Sequence, residues 1–261
     1  MISFTSAELN AWIAAFVFPL ARILAFVAAA PVFNNAAVPR RVRLMIGLAL
    51  CAAIVPGIPP LPPIEPASGM GLMILVQQML IGIAMATVMR LIFAGVGLAG
   101  ELMSFQMGLG FATMYDPQNT AQTGVVAEVV TLCATLMFLA LNGHLLMIAG
   151  LAESFHSLPI ATTSVSAGLW LNMAETGAKV FSIGLLLSLP VLIALLITNL
   201  ALSILSRAAP QLNLMAVGFP ITLTVGLGIL ALTLPYMVQP LTRIYDEGFR
   251  MMLEVFAPMV R

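Results

Sequence analysis

The chain has 261 residues, 61% of them hydrophobic and only 8% charged, with a formal net charge of +0 and a mean hydropathy of +1.10. About a quarter of an ordinary soluble domain is charged, so this chain cannot cover a water-facing surface. That excludes a free cytosolic protein and a disordered chain, and with Lys179 as the one lysine there is no basic field to attract nucleic-acid phosphates.

Six apolar stretches follow in order, at roughly 9–33, 42–55, 70–98, 125–151, 180–205 and 214–238. Crossing a bilayer takes ~20 apolar residues, because a helix rises ~1.5 Å per residue across ~30 Å of hydrocarbon. Four or five of the stretches meet that length. The second is short and reads as half of a hairpin with the first. The expected fold is all-α, an integral membrane-type protein of about six apolar helical segments, some paired as hairpins.

The first stretch ends in Ala28-Ala29-Ala30, which looks like a signal-cleavage site. Glu8 stands where a signal peptide is basic and Arg22 interrupts the apolar run, so no cleavage is expected. Arg22 and Arg90 matter more, because a charge at bilayer depth costs at least ~2.5–3.5 kcal/mol and normally faces protein or water. The plainer reading of Arg22 is an interior ion pair with Glu101, Glu128 or a group on a partner protein. The sharper one is a proton relay or ion path.

Arg40, Arg41 and Arg43 follow the first stretch, and Arg243, Arg250 and Arg261 follow the sixth. Positive residues mark the cytoplasmic side, yet six simple crossings put these clusters on opposite sides. Either one stretch does not cross, or the protein does not sit in lipid in the usual way. Between the second and third stretches, Pro56-Gly57-Ile58-Pro59-Pro60-Leu61-Pro62-Pro63-Ile64-Glu65-Pro66 is expected to be a stiff, extended connector, since proline lacks the N–H a helix needs.

Gly95-Val96-Gly97-Leu98-Ala99-Gly100 fits the dinucleotide fingerprint, but a long apolar run precedes it and no strand–helix alternation surrounds it. Small residues at this spacing let helices approach closely instead. The segment Gly100–Thr120 combines Gly108 and Gly110, Met107, Phe111 and Met114, and the break Asp116-Pro117. A loop this long between apolar helices is functional or disordered, and its low charge argues against a solvated tail. Non-helical backbone at membrane depth survives only where protein buries it or water lines it. The segment therefore reads as a constriction or plug.

Cys51 and Cys133 lack any C-x-x-C spacing and read as small buried hydrophobes. His144 and His156 are the only histidines, too few for a zinc site. No G-x-S-x-G is present, so neither metal nor nucleophilic catalysis is expected. The last stretch, 241–261, carries an apolar stripe of Leu241, Ile244, Tyr245, Phe249, Met252, Phe256 and Met259. Arg243, Asp246, Glu247, Arg250 and Glu254 lie opposite. This is helical amphipathicity, and its mixed charge favours a partner protein over a lipid surface.

Four groups of residues resemble one family. They are Gly100-Glu101-Leu102-Met103-Ser104-Phe105-Gln106-Met107-Gly108-Leu109 with Phe111-Ala112 and Asp116-Pro117; Leu139-Ala140-Leu141-Asn142-Gly143-His144; Arg207-Ala208-Ala209-Pro210-Gln211-Leu212-Asn213 running into Val217-Gly218-Phe219-Pro220; and Pro39-Arg40-Arg41-Val42-Arg43. Taken in chain order they resemble the FliR family of flagellar type III export-gate proteins, across essentially the whole chain. The injectisome counterparts match less closely.

The resemblance implies a non-enzymatic core subunit of the export gate, in the bacterial inner membrane at the flagellar basal body. Its implied partners are FliP, FliQ and FlhB-type proteins and exported unfolded polypeptides, with no cofactor. It also implies a plug within residues 106–122, so the expected gate residues are Gln106, Met107, Gly108, Leu109, Gly110, Phe111 and Met114. The expected organisation is one domain over 1–261. Residues 1–124 would hold the N-terminal helices and a plug loop at about 100–124; residues 125–261 would hold the C-terminal helices and the amphipathic tail. A self-contained secondary transporter or channel is the alternative, though no internal repeat of the kind such proteins carry is found.

Overall fold

The computed structural model describes residues 5–59, 64–109, 124–160, 168–209 and 214–254. It is 87% helical with no strands among the described residues. The helices are α1 (Ser6–Ala29), α2 (Arg40–Ile54), α3 (Gly69–Gln106), α4 (Val125–Ala140), α5 (Gly143–Ser157), α6 (Gly168–Ala208), α7 (Leu214–Thr233) and α8 (Val238–Glu254). Single 3-10 turns form at Val55–Gly57 and Leu234–Met237, so the proline connector opens on a tight turn rather than in extended backbone.

The chain falls into two compact units. One holds Met1–Leu91, Asn142–Gly177 and Asp246–Arg261; the other holds Ile92–Leu141 and Ala178–Tyr245.

In the first unit α1 opens on a capping box. The Thr5 hydroxyl accepts from the Glu8 N–H at 3.3 Å, and the Glu8 carboxylate accepts from the Thr5 N–H at 2.9 Å, satisfying donors that the first turn leaves free. The short second stretch, α2, returns antiparallel along α1 as the sequence indicated. Gly47 lies against Leu24, and the Cys51 thiol sits 4.0 Å from the Phe16 carbonyl. On the other side of α1, Gly82 of α3 lies against the Arg22 carbonyl, which brings the two backbones together. Gly150 of α5 in turn receives the end of Met252 of α8.

In the second unit the glycine run of α3 is helix interior. A Cβ at Gly95 would stand 2.8 Å from Ile183 of α6, and one at Gly184 would stand 2.8 Å from Leu98. Gly100 lies against the backbone of Ala127 at the start of α4. The run serves close helix approach, as its small residues suggested. Phe93, Phe138 and Tyr245 form an aromatic triangle with centroid separations of 5.3, 5.7 and 5.1 Å. Contacts of this kind contribute ~0.5–1.5 kcal/mol each beyond their buried area. The Tyr245 hydroxyl donates to the Ala134 carbonyl at 2.9 Å.

Two boundaries differ from the sequence reading. The fourth apolar stretch is a bent pair, α4 and α5, meeting at 65°. Asn142 sits there in the left-handed region at φ 56, which asparagine tolerates better than most residues, and that reversal ends one helix and starts the next. The helix α3 also continues to Gln106, so the loop expected from about residue 100 begins only after it. The run Glu101-Leu102-Met103-Ser104-Phe105-Gln106 contains no residue that stops a helix.

Four helices are long and apolar enough to cross a membrane, five if the bent pair counts as one span; α2 is not among them. The two longest helices, with 38 and 41 residues, have contours of about 57 and 62 Å at ~1.5 Å per residue. Both exceed the ~30 Å hydrocarbon thickness.

The apolar stretch of α3 is 61% buried, against 28% for that of α6. Phe181, Leu186, Ile193, Ile197 and Leu200 of α6 are all more than half exposed. In α8, Leu241, Ile244, Tyr245 and Met252 are buried while Arg243, Asp246, Glu247 and Arg250 face out. This is the stripe read from the sequence; Phe256 and Met259 lie outside the described residues.

Candidate functional site

The described structure reaches the expected plug from both ends. At the near end α3 closes in a Schellman motif. Gly108 takes φ 84, its N–H donates to the Phe105 carbonyl at 3.0 Å, and the Leu109 N–H donates to the Ser104 carbonyl at 3.1 Å. Glycine is required here because a Cβ disfavours positive φ. This turn is held on α7. Met107 is fully buried and packs into the gap left by Gly226, where a Cβ would stand 2.6 Å from its Cγ. Its carbonyl accepts from the Thr222 hydroxyl at 3.3 Å. Phe219 lies under Gly108, 3.2 Å from where a Cβ would be. Phe219, Thr222 and Gly226 share one face of α7 at helical spacing.

At the far end, Gly124 is the N-cap of α4. Its N–H donates to Glu101 Oε1 at 3.2 Å, and it lies against the Ser104 side chain. Gly100, Glu101 and Ser104 of α3 therefore receive the return of the chain, while Met107 and Gly108, one turn on, fix its departure. The described residues on either side of 110–123 thus meet α3 within about two turns of each other. Gly110, Phe111 and Met114 of the expected plug lie outside the described residues; Gln106, Met107, Gly108 and Leu109 lie at the neck.

Arg22 forms a separate centre within the first unit and is fully buried. Its Nε donates to Gln78 Oε1 at 2.8 Å. One terminal nitrogen donates to the Ser154 carbonyl at 2.7 Å and its hydroxyl at 3.1 Å, and the other to the Leu158 carbonyl at 2.9 Å. The guanidinium also lies 4.2 Å from the Phe155 ring centroid.

Within the first unit the acceptors of Arg22 are neutral. Those from Ser154 and Leu158 are the carbonyls at the end of α5, where the helix dipole favours a cation. In the second unit Glu101 accepts at the loop neck, and Glu128 is exposed in the first turn of α4, where the helix dipole favours an acid. Arg90 is exposed. Sequence reasoning did not find Gln78, Ser154 or Leu158, nor the Phe219–Thr222–Gly226 face; nothing local marks residues that meet only through tertiary packing.

The buried His144 Nδ1 has no hydrogen-bond partner among the described residues, and His156 is exposed. No three His, Cys, Asp or Glu side chains come together as a metal site among the described residues.

The profile of a family described as bacterial export proteins, family 1, matches residues 13–248. The chain belongs to that family. It is similar to flagellar biosynthetic protein FliR of Pectobacterium carotovorum subsp. carotovorum, with 40% identity over 99% of both chains. The Escherichia coli (strain K12) FliR is 37% identical over 99% of both. That of Aquifex aeolicus is 31% identical over 88% of both. With its membrane-length helices, this export-family member is a membrane protein. The groups of residues that carried the resemblance fall on its chain breaks: Gly100–Leu109 on the loop neck, Leu139–His144 on the bend between α4 and α5, and Phe219 under Gly108.

Proposed function

We propose that the chain is a non-enzymatic subunit of the flagellar protein-export gate, in which segment 110–123 obstructs the path of unfolded polypeptides until export begins. Membership of the export family and the naming of its relatives as flagellar biosynthetic proteins support the setting. The observation that carries the plug reading is the double anchoring of the segment, on α7 at Met107 and Gly108 and on Glu101 at Gly124. A stopper needs fixed ends, so that side chains can leave the path and return to the same place. Apolar groups held across a narrow path block ions by dewetting.

The partners on this reading are FliP, FliQ and FlhB-type proteins, in the inner membrane at the basal body. The exposed apolar face of α6 supplies surface for such neighbours. Mild-detergent purification of the tagged chain, followed by mass analysis of the intact complex, tests the assignment. The expected result is a stable hetero-oligomer containing those proteins. A monodisperse single chain that transports a small solute when reconstituted contradicts it.

A further inference from the structure

The second unit contains a cavity of about 200 Å³ that the loop neck does not use. Val96 of α3, Val130 and Cys133 of α4, Leu187 of α6, Met237 of the 3-10 turn and Leu241 of α8 contribute to its wall. Pro235 lies in the turn Leu234–Met237 that separates α7 from α8, so the regular helix stops here and leaves space unfilled.

The lining is apolar apart from the Cys133 thiol. Ala134 also lines the cavity, and its carbonyl already receives the Tyr245 hydroxyl at 2.9 Å. A buried water needs two to four polar partners, and apolar cavities of ~150 Å³ stay dry and take up hydrocarbon. Cys133 and Met137 are half-buried and stand beside Leu132 and Leu136, which are 59% and 58% exposed on the outer face of α4. The cavity therefore lies next to an apolar outer surface in a helix of the bent membrane span.

We infer that this cavity is a binding site for the end of a phospholipid acyl chain, entering beside Cys133 from the bilayer. The chemistry needed is that of a saturated hydrocarbon with no head group inside the protein. The lipid completes the packing between the end of α7 and the start of α8.

The test uses membranes carrying the full chain in its complex, doped with a phosphatidylethanolamine whose acyl chain bears a diazirine near the methyl end. After irradiation, the expected crosslinks fall on cavity residues, Cys133, Leu187 and Leu241, as well as on the outer Leu132 and Leu136. The substitution Cys133→Phe, which fills the cavity, is expected to lower the cavity crosslinks at least fivefold and leave those at Leu132 and Leu136 unchanged. Cys133→Ser is expected to change neither. If the Phe variant does not accumulate, Cys133→Leu is used, with the same expected loss.

Each of these results overturns the inference: crosslinks confined to Leu132 and Leu136; cavity crosslinks that persist when the cavity is filled; or capture of a free diazirine fatty acid but not of the phospholipid. Crosslinks from the cavity to a partner polypeptide in place of lipid also overturn it.

Discussion

Replacing Arg22 by methionine removes a buried charge together with everything it ties down. Four hydrogen bonds from a charged donor are lost, each worth ~1.5–3 kcal/mol net when it stands alone, along with a desolvated cation–π contact of ~2 kcal/mol. The four share one guanidinium whose burial costs several kcal/mol, so their contributions do not simply add. What remains afterwards sets the sign. The Gln78 side chain is fully buried, and its Nε2 has no partner among the described residues even with Arg22 in place, so Arg22→Met strips the one hydrogen bond this amide makes among them. The Leu158 carbonyl loses its guanidinium donor as well. A net loss of about 3 kcal/mol is expected, about 100-fold in the ratio of closed to open forms at ~1.4 kcal/mol per decade.

Reactivity of Cys51 reads this out. Its thiol is fully buried beside α1, so a thiol dye reports opening of the α1–α2 hairpin, measured in lipid nanodiscs with Cys133→Ser as background. The double variant Arg22→Met, Gln78→Leu is expected to recover ~1–2 kcal/mol, since it removes the stranded amide. Arg22→Lys is expected to fall between wild type and Arg22→Met, because one ammonium cannot reach Gln78, Ser154 and Leu158 together. An Arg22→Met protein as stable as wild type, or a double variant worse than the single one, would refute the reasoning.

The loop neck gives three further predictions. Gly108→Ala is expected to cost about 1–2 kcal/mol, because φ 84 is unfavourable for a residue with a Cβ, and to raise proteolytic cleavage after Gln106. Unchanged protease sensitivity contradicts this. Glu101→Ala is expected to release Gly124 and make the resting gate leak ions, whereas Glu101→Gln, which keeps an acceptor at the same place, is expected to leak less; equal leakage counts against the latch. Gly100→Leu cannot be accommodated against the Ala127 backbone, and overpacking of this kind costs ~1–3 kcal/mol. Reduced accumulation of the subunit in membranes, by quantitative immunoblot, is the expected sign; wild-type levels contradict it.

Much of the architecture is legible in the sequence because apolar runs of membrane length leave few alternatives to helix. The pattern Thr5-x-x-Glu8 carries the start of α1, and the spacing of Leu241, Ile244, Tyr245 and Met252 carries the buried stripe of α8. The break at Asn142 hides inside an apolar run, since hydropathy is blind to one reversed φ; the dipeptide Asn142-Gly143 is its only local sign. The glycines near the end of α3 mislead in the other direction. Gly100 looks like the opening of a loop, but its role is contact with Ala127, and the helix ends at the glycine that takes positive φ, Gly108. Arg22 announces itself as a buried charge, while its acceptors lie 56 to 136 residues away. Likewise Glu101 turns to Gly124, 23 residues on, a pairing that only the return of the chain creates.

The plug is tested most directly by single-complex conductance in planar bilayers. The comparison is between the wild-type export complex and one in which residues 110–115 are deleted, leaving the neck at Met107, Gly108 and Glu101 intact. The account predicts that the deleted complex assembles with its normal composition and passes ions at rest, while the wild type stays closed. A fully assembled deleted complex that remains as ion-tight as wild type would contradict it.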